Sequence, residues 1–305
     1  MTQGFAGLSG NLRGGVWMLL AAAFFSGLNA LVKDLGGVIP PIELVFFRSL
    51  FGLLVLVPLL IHGGREVLKV ERPEMHLYRI ALGLGAMALS FEALARLPLA
   101  GSISLFFTKP LFVIVLAAVF LGERPNWRRS LATVTGLAGV LVMMRPWHGG
   151  IDAAMVVAVL SALCMAAVMV VIKHMTASER PLTMVAYFSA GCSLGTLPAT
   201  LLVWRWPDAH QLGLMAAMGF LGSVAQYFVV KAYHAGEATA VSPVDYVQLI
   251  FAAAIGYWVF GEVPDLWMAL GAAVVVASSW TVVRQGTNTQ QGTEETCASV
   301  DKVQS

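Results

Sequence analysis

Residues 106–125 read FFTKPLFVIVLAAVFLGERP. The apolar run around them extends from about Leu97 to Leu121, with Lys109 and Pro110 near its middle. In a soluble core helix that lysine would merely sit badly. At the centre of a membrane span it costs ~2.5–3.5 kcal/mol and calls for a partner. Composition decides which solvent applies. Of 305 residues, 58% are hydrophobic and 12% charged, about half the roughly 25% charged that soluble domains carry. With a mean hydropathy of +0.78, most of the surface must face lipid.

Outward from that run the chain reads as an all-α polytopic membrane protein of ten spans. They are about Gly15–Leu35, Pro41–Ile61, Leu77–Leu97, Leu99–Leu121, Arg129–Met144, Ile151–Met175, Pro181–Trp204, Leu212–Tyr233, Ala238–Phe260 and Leu266–Val283. About 20 residues at 1.5 Å each cross a ~30 Å hydrocarbon core. The breaks carry GGVIPP, HGG and RPWHGG, as turns should. The first run is too long for a signal-peptide core and is expected to be retained. The tail over 285–305 is polar, without periodicity, and reads as disordered. With the N-terminus in the cytoplasm, thirteen basic residues fall on the inside and four on the outside. Both termini should therefore be cytoplasmic, in the inner membrane.

The phrase LGERP at 121–125 returns as FGEVP at 260–264, a shift of 139 residues. The same shift pairs Gly83 with Gly222, Ala86 with Ala225, Ala93 with Ala232 and Phe112 with Phe251. Two halves follow, over 12–145 and 151–284, with five spans each. Five is odd, so the halves insert in opposite senses. Charge agrees: Arg124, Arg128 and Arg129 follow the first Gly-Glu, whereas no Lys or Arg follows the second until Arg284. Inverted repeats mark secondary transporters, with the substrate site near the midplane.

On these residues, TKPLFVIVLAAVFLGERP in one half and SPVDYVQLIFAAAIGYWVFGEVPD in the other, the chain resembles the EamA-type drug/metabolite transporter superfamily. The resemblance implies a central cavity walled by spans one, three, four, six, eight and nine. It also implies a small-metabolite substrate, in a superfamily whose members move amino acids, nucleotide sugars, riboflavin, S-adenosylmethionine and opine-like metallophores.

Lys109 heads the candidate site residues. Pro110 removes a backbone donor and leaves the Phe106 carbonyl free. Under the repeat, Lys109 matches Gln248, and Asp245 lies one helical turn away on a similar face. Counting inward, Lys109 sits ~15 Å from the outside end of its span and Asp245 ~10 Å from the inside end of its own, similar depths in a ~30 Å core. Pro243 loosens the second helix as Pro110 loosens the first. The pair is either a structural tie between spans four and nine or a substrate and coupling site. Phe107 and Tyr246 flank it and are the aromatic candidates, with Trp17 further out. Asn29 is a lone polar residue in span one.

Glu92 and Lys231 are mates at the shift of 139, with Arg96 placed to pair with Glu92. Both are coupling candidates for which a structural role is favoured. Arg48 is expected to brace the bundle or gate it, reaching imperfectly towards Glu43. Glu123 and Glu262 end spans four and nine and read as helix-end anchors.

Other chemistries lack their residues. HExxH and a Walker A sequence are absent, so an enzyme, a metal site, a cofactor and ATP-driven pumping are not expected. Cys164 and Cys192 lie in apolar runs and Cys297 in the tail, which gives no disulfide framework. The expected function is secondary transport, read as export, of a small polar or zwitterionic metabolite. Import of a riboflavin- or S-adenosylmethionine-like solute is the alternative, and an intramembrane enzyme is the alternative of another class. The expected partners are that solute and the lipid bilayer, without nucleic acid. Proton coupling and a homodimer stay open.

Overall fold

In the computed structural model, residues 10–64, 69–120, 127–144, 152–175, 178–235, 244–245, 247–263, 265–274 and 276–278 are described. Their regular structure is helical throughout. In chain order the helices are α1 Gly10–Gly36, α2 Pro41–Gly63, α3 Pro73–Arg96, α4 Leu99–Phe106, α5 Lys109–Phe120, α6 Trp127–Met144, α7 Ala153–Met175, α8 Pro181–Leu202, α9 Ala209–Ala235 and α10 Val247–Phe260. A further helical stretch covers 266–274 and 276–278.

Six helices, α1, α2, α3, α7, α8 and α9, are long and apolar enough to cross a membrane. Their outward faces are apolar too: Leu54, Ile61, Leu194, Leu201 and Phe220 are exposed. That pattern suits a lipid solvent and would be costly in water.

Prolines set the starts. Pro41, Pro73 and Pro181 open α2, α3 and α8, where a missing N–H costs nothing and φ is already helical. Glycine sets the end of α10. Gly261 has φ +64°, which turns the chain back so that the Glu262 N–H donates to the Gly256 carbonyl at 2.9 Å. A terminal carbonyl is thereby satisfied, and the Glu262 side chain is aimed back at the bundle. This is the physical content of the Gly-Glu phrase in the second half. Glu123, which ends the first, lies outside the described residues, as do Pro243, Tyr246 and the tail.

The run expected to form span four, Leu99–Leu121, is not one continuous helix. It consists of two helices, α4 and α5, with a turn at Phe107–Thr108. Pro110 has no N–H to offer the Phe106 carbonyl, so the helical ladder stops there. The Phe107 N–H is shared between the Ile103 and Ser104 carbonyls, both at 3.2 Å, and the Thr108 N–H donates to the Leu105 carbonyl at 3.1 Å.

Packing is most extensive between α1 and α9 and between α3 and α7. Helix α2 crosses α9 closely because both present glycine: a Cβ on Gly219 would lie 2.7 Å from the Gly52 nitrogen. In the absence of a hydrophobic force between helices in lipid, such close approach is what holds them. Two carboxylates tie the ends. At one end Glu43 Oε2 accepts from the Arg205 N–H at 3.1 Å. At the other, Glu179 Oε1 accepts from the N–H groups of Glu71 and Arg72 at 2.9 and 3.2 Å.

Candidate functional site

A cavity of about 1100 Å³, its mouth included, opens among α1, α3, α4, α5, α7, α9 and α10. Helices α2 and α8 reach it through Arg48 and Phe188. Its walls are rich in methionine and phenylalanine, with Asn29, Ser90, Gln226, Tyr233 and Gln248 as neutral polar points.

Lys109 and Asp245 meet in this wall. Lys109 Nζ donates to Asp245 Oδ2 at 3.1 Å, and the side chains are 20% and 19% exposed. The local backbone explains the pairing. Lys109 opens α5 immediately after the break, where the positive end of the helix dipole disfavours a cation. Asp245 stands two residues ahead of α10, where an anion is favoured. Each charge therefore sits at a helix start, and the carboxylate neutralises the ammonium there. At the break, the Thr108 hydroxyl donates to the Leu105 carbonyl at 2.8 Å, which satisfies polar groups without lipid exposure.

Of the other expected residues, Asn29, Phe107 and Gln248 line the same cavity. Trp17, Glu92 and Lys231 are not among its walls. Trp17 packs on Phe228, ring centroids 5.2 Å apart. Glu92 pairs with Arg96 one turn on. Lys231 lies over the Tyr227 ring at 5.6 Å. All three stand on helices that line the cavity through other residues, α1, α3 and α9.

Arg48 departs from expectation. It lines the cavity and does not reach Glu43, whose carboxylate is engaged by Arg205. Its Nη1 donates to Met87 Sδ at 3.4 Å, and its guanidinium lies 6.0 Å from the Phe188 ring. Arg79, one of the thirteen basic residues counted on the cytoplasmic side, is 1% exposed inside the bundle. It donates to the Met184 carbonyl at 2.7 Å and lies 5.1 Å from the same ring. Phe188 gave no sequence signal beyond being aromatic in an apolar run. Met165 and Met169 did carry one, the four-residue spacing that puts two flexible side chains on one face.

Glu262 fills its anchoring place. Its Oε1 pairs with Lys33 Nζ at 2.8 Å, and its Oε2 accepts from the Leu99 N–H at 2.8 Å. Lys33 also donates to the Leu97 carbonyl at 2.7 Å. One carboxylate thus joins the ends of α1 and α10 to the start of α4.

The EamA-like transporter family matches residues 12–145 and 152–284. The chain belongs to this family. Among EamA-like relatives, the pseudopaline exporter CntI of Pseudomonas aeruginosa is 33% identical over 275 residues, 87% of this chain and 95% of that one. The riboflavin transporter of Rhizobium johnstonii is 32% identical over 280 residues, covering 89% and 91%. An S-adenosylmethionine uptake transporter of Rickettsia prowazekii is 29% identical over 272 residues, covering 89% and 92%. A crystal structure superposes with a TM-score of 0.64 at 20% identity, over 88% of this chain and 95% of that one, and so shares the fold. Family and named relatives are transporters rather than enzymes. This EamA-like chain is accordingly a multi-pass membrane protein of the transporter class.

Proposed function

We propose that this chain is a secondary transporter of a small zwitterionic organic metabolite, and that it works by alternating access between two inverted halves of five spans. The observation that carries the reading is the Lys109–Asp245 pair. It lies in a cavity wall, at two helix starts. A zwitterion can exchange into it, giving its carboxylate to Lys109 and its ammonium to Asp245, so that both charges stay paired whether the cavity is empty or loaded. The repeat reading draws support from packing. At a shift of 139 residues α1 corresponds to α7 and α3 to α9, so the two most extensive packings, α1 with α9 and α3 with α7, are mates.

We place the termini in the cytoplasm, in the inner membrane, and the Lys33–Glu262 end outside. The basic-residue bias supports this even with Arg79 moved to the interior. Export is the proposed direction, supported by the likeness to the pseudopaline exporter. The uptake transporters among the relatives support import as the second reading.

Purified chain in proteoliposomes, loaded with a panel of zwitterionic metabolites, is expected to show saturable flux of at least one. Flux of none, with chemical turnover of one instead, would end the transporter reading.

The Lys33–Glu262–Leu99 junction gives a separate expectation. Glu262→Ala releases Lys33 and the Leu99 N–H together, so that end of the cavity should open more often. In a cysteine-free background, labelling of Asn29→Cys by a membrane-impermeant maleimide from outside should then rise several-fold, as loss of a charge-assisted tie of ~1.5–3 kcal/mol permits. An unchanged labelling rate would show that the junction does not close that end.

A further inference from the structure

We infer that Arg48 is a second anion subsite, and that the solute carried is a zwitterion bearing one additional carboxylate. This rests on reading the same cavity as a substrate site. Among the described residues, its walls carry three charged groups: Arg48, Lys109 and Asp245. Lys109 and Asp245 cancel. Arg48 is left over, 3% exposed, and makes no ion pair among the described residues.

A guanidinium has five N–H donors. Here one of them meets a thioether sulfur, a weak acceptor, and Nε has no hydrogen-bond partner among the described residues. Burying a cation in this state is expensive, and ring contact with Phe188 returns little of it. The bundle nevertheless keeps room for it: a Cβ on Gly222 would lie 2.6 Å from Arg48 Nε. Arg79, on the same phenylalanine ring, also lacks an acid partner among the described residues and adds positive potential.

A carboxylate in the cavity would accept from the planar fork of Arg48 in bidentate fashion and bring the charge of the walls to zero. The remaining zwitterion engages Lys109 and Asp245. The methionine and phenylalanine walls take an apolar arm. The substrate class is therefore a net monoanionic amino acid with a second carboxylate, rather than a neutral or cationic solute.

Two matched probes test this on the detergent-purified full chain by thermal-shift titration. N-(1-carboxyethyl)-L-phenylalanine has the extra carboxylate. N-isopropyl-L-phenylalanine has a methyl in its place. The wild type is expected to bind the first at least ~10-fold more tightly, the worth of one charge-assisted bidentate contact. Arg48→Met should bring the two affinities within about 2-fold without lowering the unliganded melting temperature, since it removes an unpaired buried charge. Equal affinities in the wild type, binding of neither probe, or selectivity that survives Arg48→Met would overturn the assignment. So would a lower unliganded melting temperature in that variant, which marks a brace. Chloride at matched ionic strength is the third arm. A chloride stabilisation as large as that by the dicarboxylate, and equally lost in Arg48→Met, would make this an inorganic-anion site instead. Binding needs no turnover, so a chain that binds selectively yet moves no solute would sink the transporter reading and leave the Arg48 assignment standing.

Discussion

Lys109→Ala is expected to lower solute flux at least ~30-fold, the effect of losing one partner of a largely desolvated, hydrogen-bonded charge pair worth about 2 kcal/mol. Assembly of the bundle should survive, because the pair is one-fifth exposed on each side and lies in a cavity rather than in the packed core. The double variant Lys109→Ala/Asp245→Asn separates the two roles the pair could have. If the pair were only a structural tie, removing both charges together would restore folding and flux alike, because no unpaired charge remains. If the pair is where the zwitterion docks, the double variant restores the melting temperature and leaves flux low. Proteoliposome flux and thermal unfolding, measured on the same preparations, give the answer. Full recovery of flux in the double variant would remove the pair from the transport mechanism.

Gly219→Ala should lower the thermal unfolding midpoint clearly, by ~1–3 kcal/mol of overpacking. The added methyl would meet the Gly52 nitrogen at 2.7 Å and the Phe51 carbonyl carbon at 2.8 Å. Both are backbone atoms of α2, so no rotamer change relieves the contact, and the crossing of α2 and α9 must widen. Gly213 lies on the same helix with nothing within 4 Å of its Cβ direction. There Gly213→Ala should be neutral or stabilising by up to ~1 kcal/mol from helix propensity. Opposite signs for the two substitutions are the expected result. The same sign and size at both positions would show that close backbone approach does not hold this crossing.

Much of the candidate site could be read from the chain because repeats and charges are rare, directional signals in an apolar sequence. Lys109 and Asp245 were matched through the shift of 139 residues and through depth, and they meet at 3.1 Å. Glu262 was placed at a helix end by its Gly-Glu phrase, and its carboxylate anchors Lys33 and Leu99. Glu92 and Lys231 answered to the same shift but do not line the cavity. A shift assigns a helix and a depth, whereas the facing direction depends on how that helix is rotated against its neighbours.

Arg48 and Arg79 show the limit more sharply. From sequence, Arg79 seven residues into α3 looked like a cytoplasmic flank, and Arg48 seven residues into span two looked like a brace or gate of the bundle within imperfect reach of Glu43. The structure puts both guanidiniums against one ring, that of Phe188, more than a hundred residues away along the chain.

The sequence by itself determined the solvent, the helical class, the transporter family and one charge pair. Each of these follows from quantities local to the chain: apolar length, charge spacing and a repeated phrase. Only the tertiary structure decided which polar groups share a cavity and which of them go unpaired there. That depends on helix rotation and on glycines such as Gly222 that let an arginine lie against a neighbouring helix, and no spacing along one chain encodes where a side chain of another helix will stand.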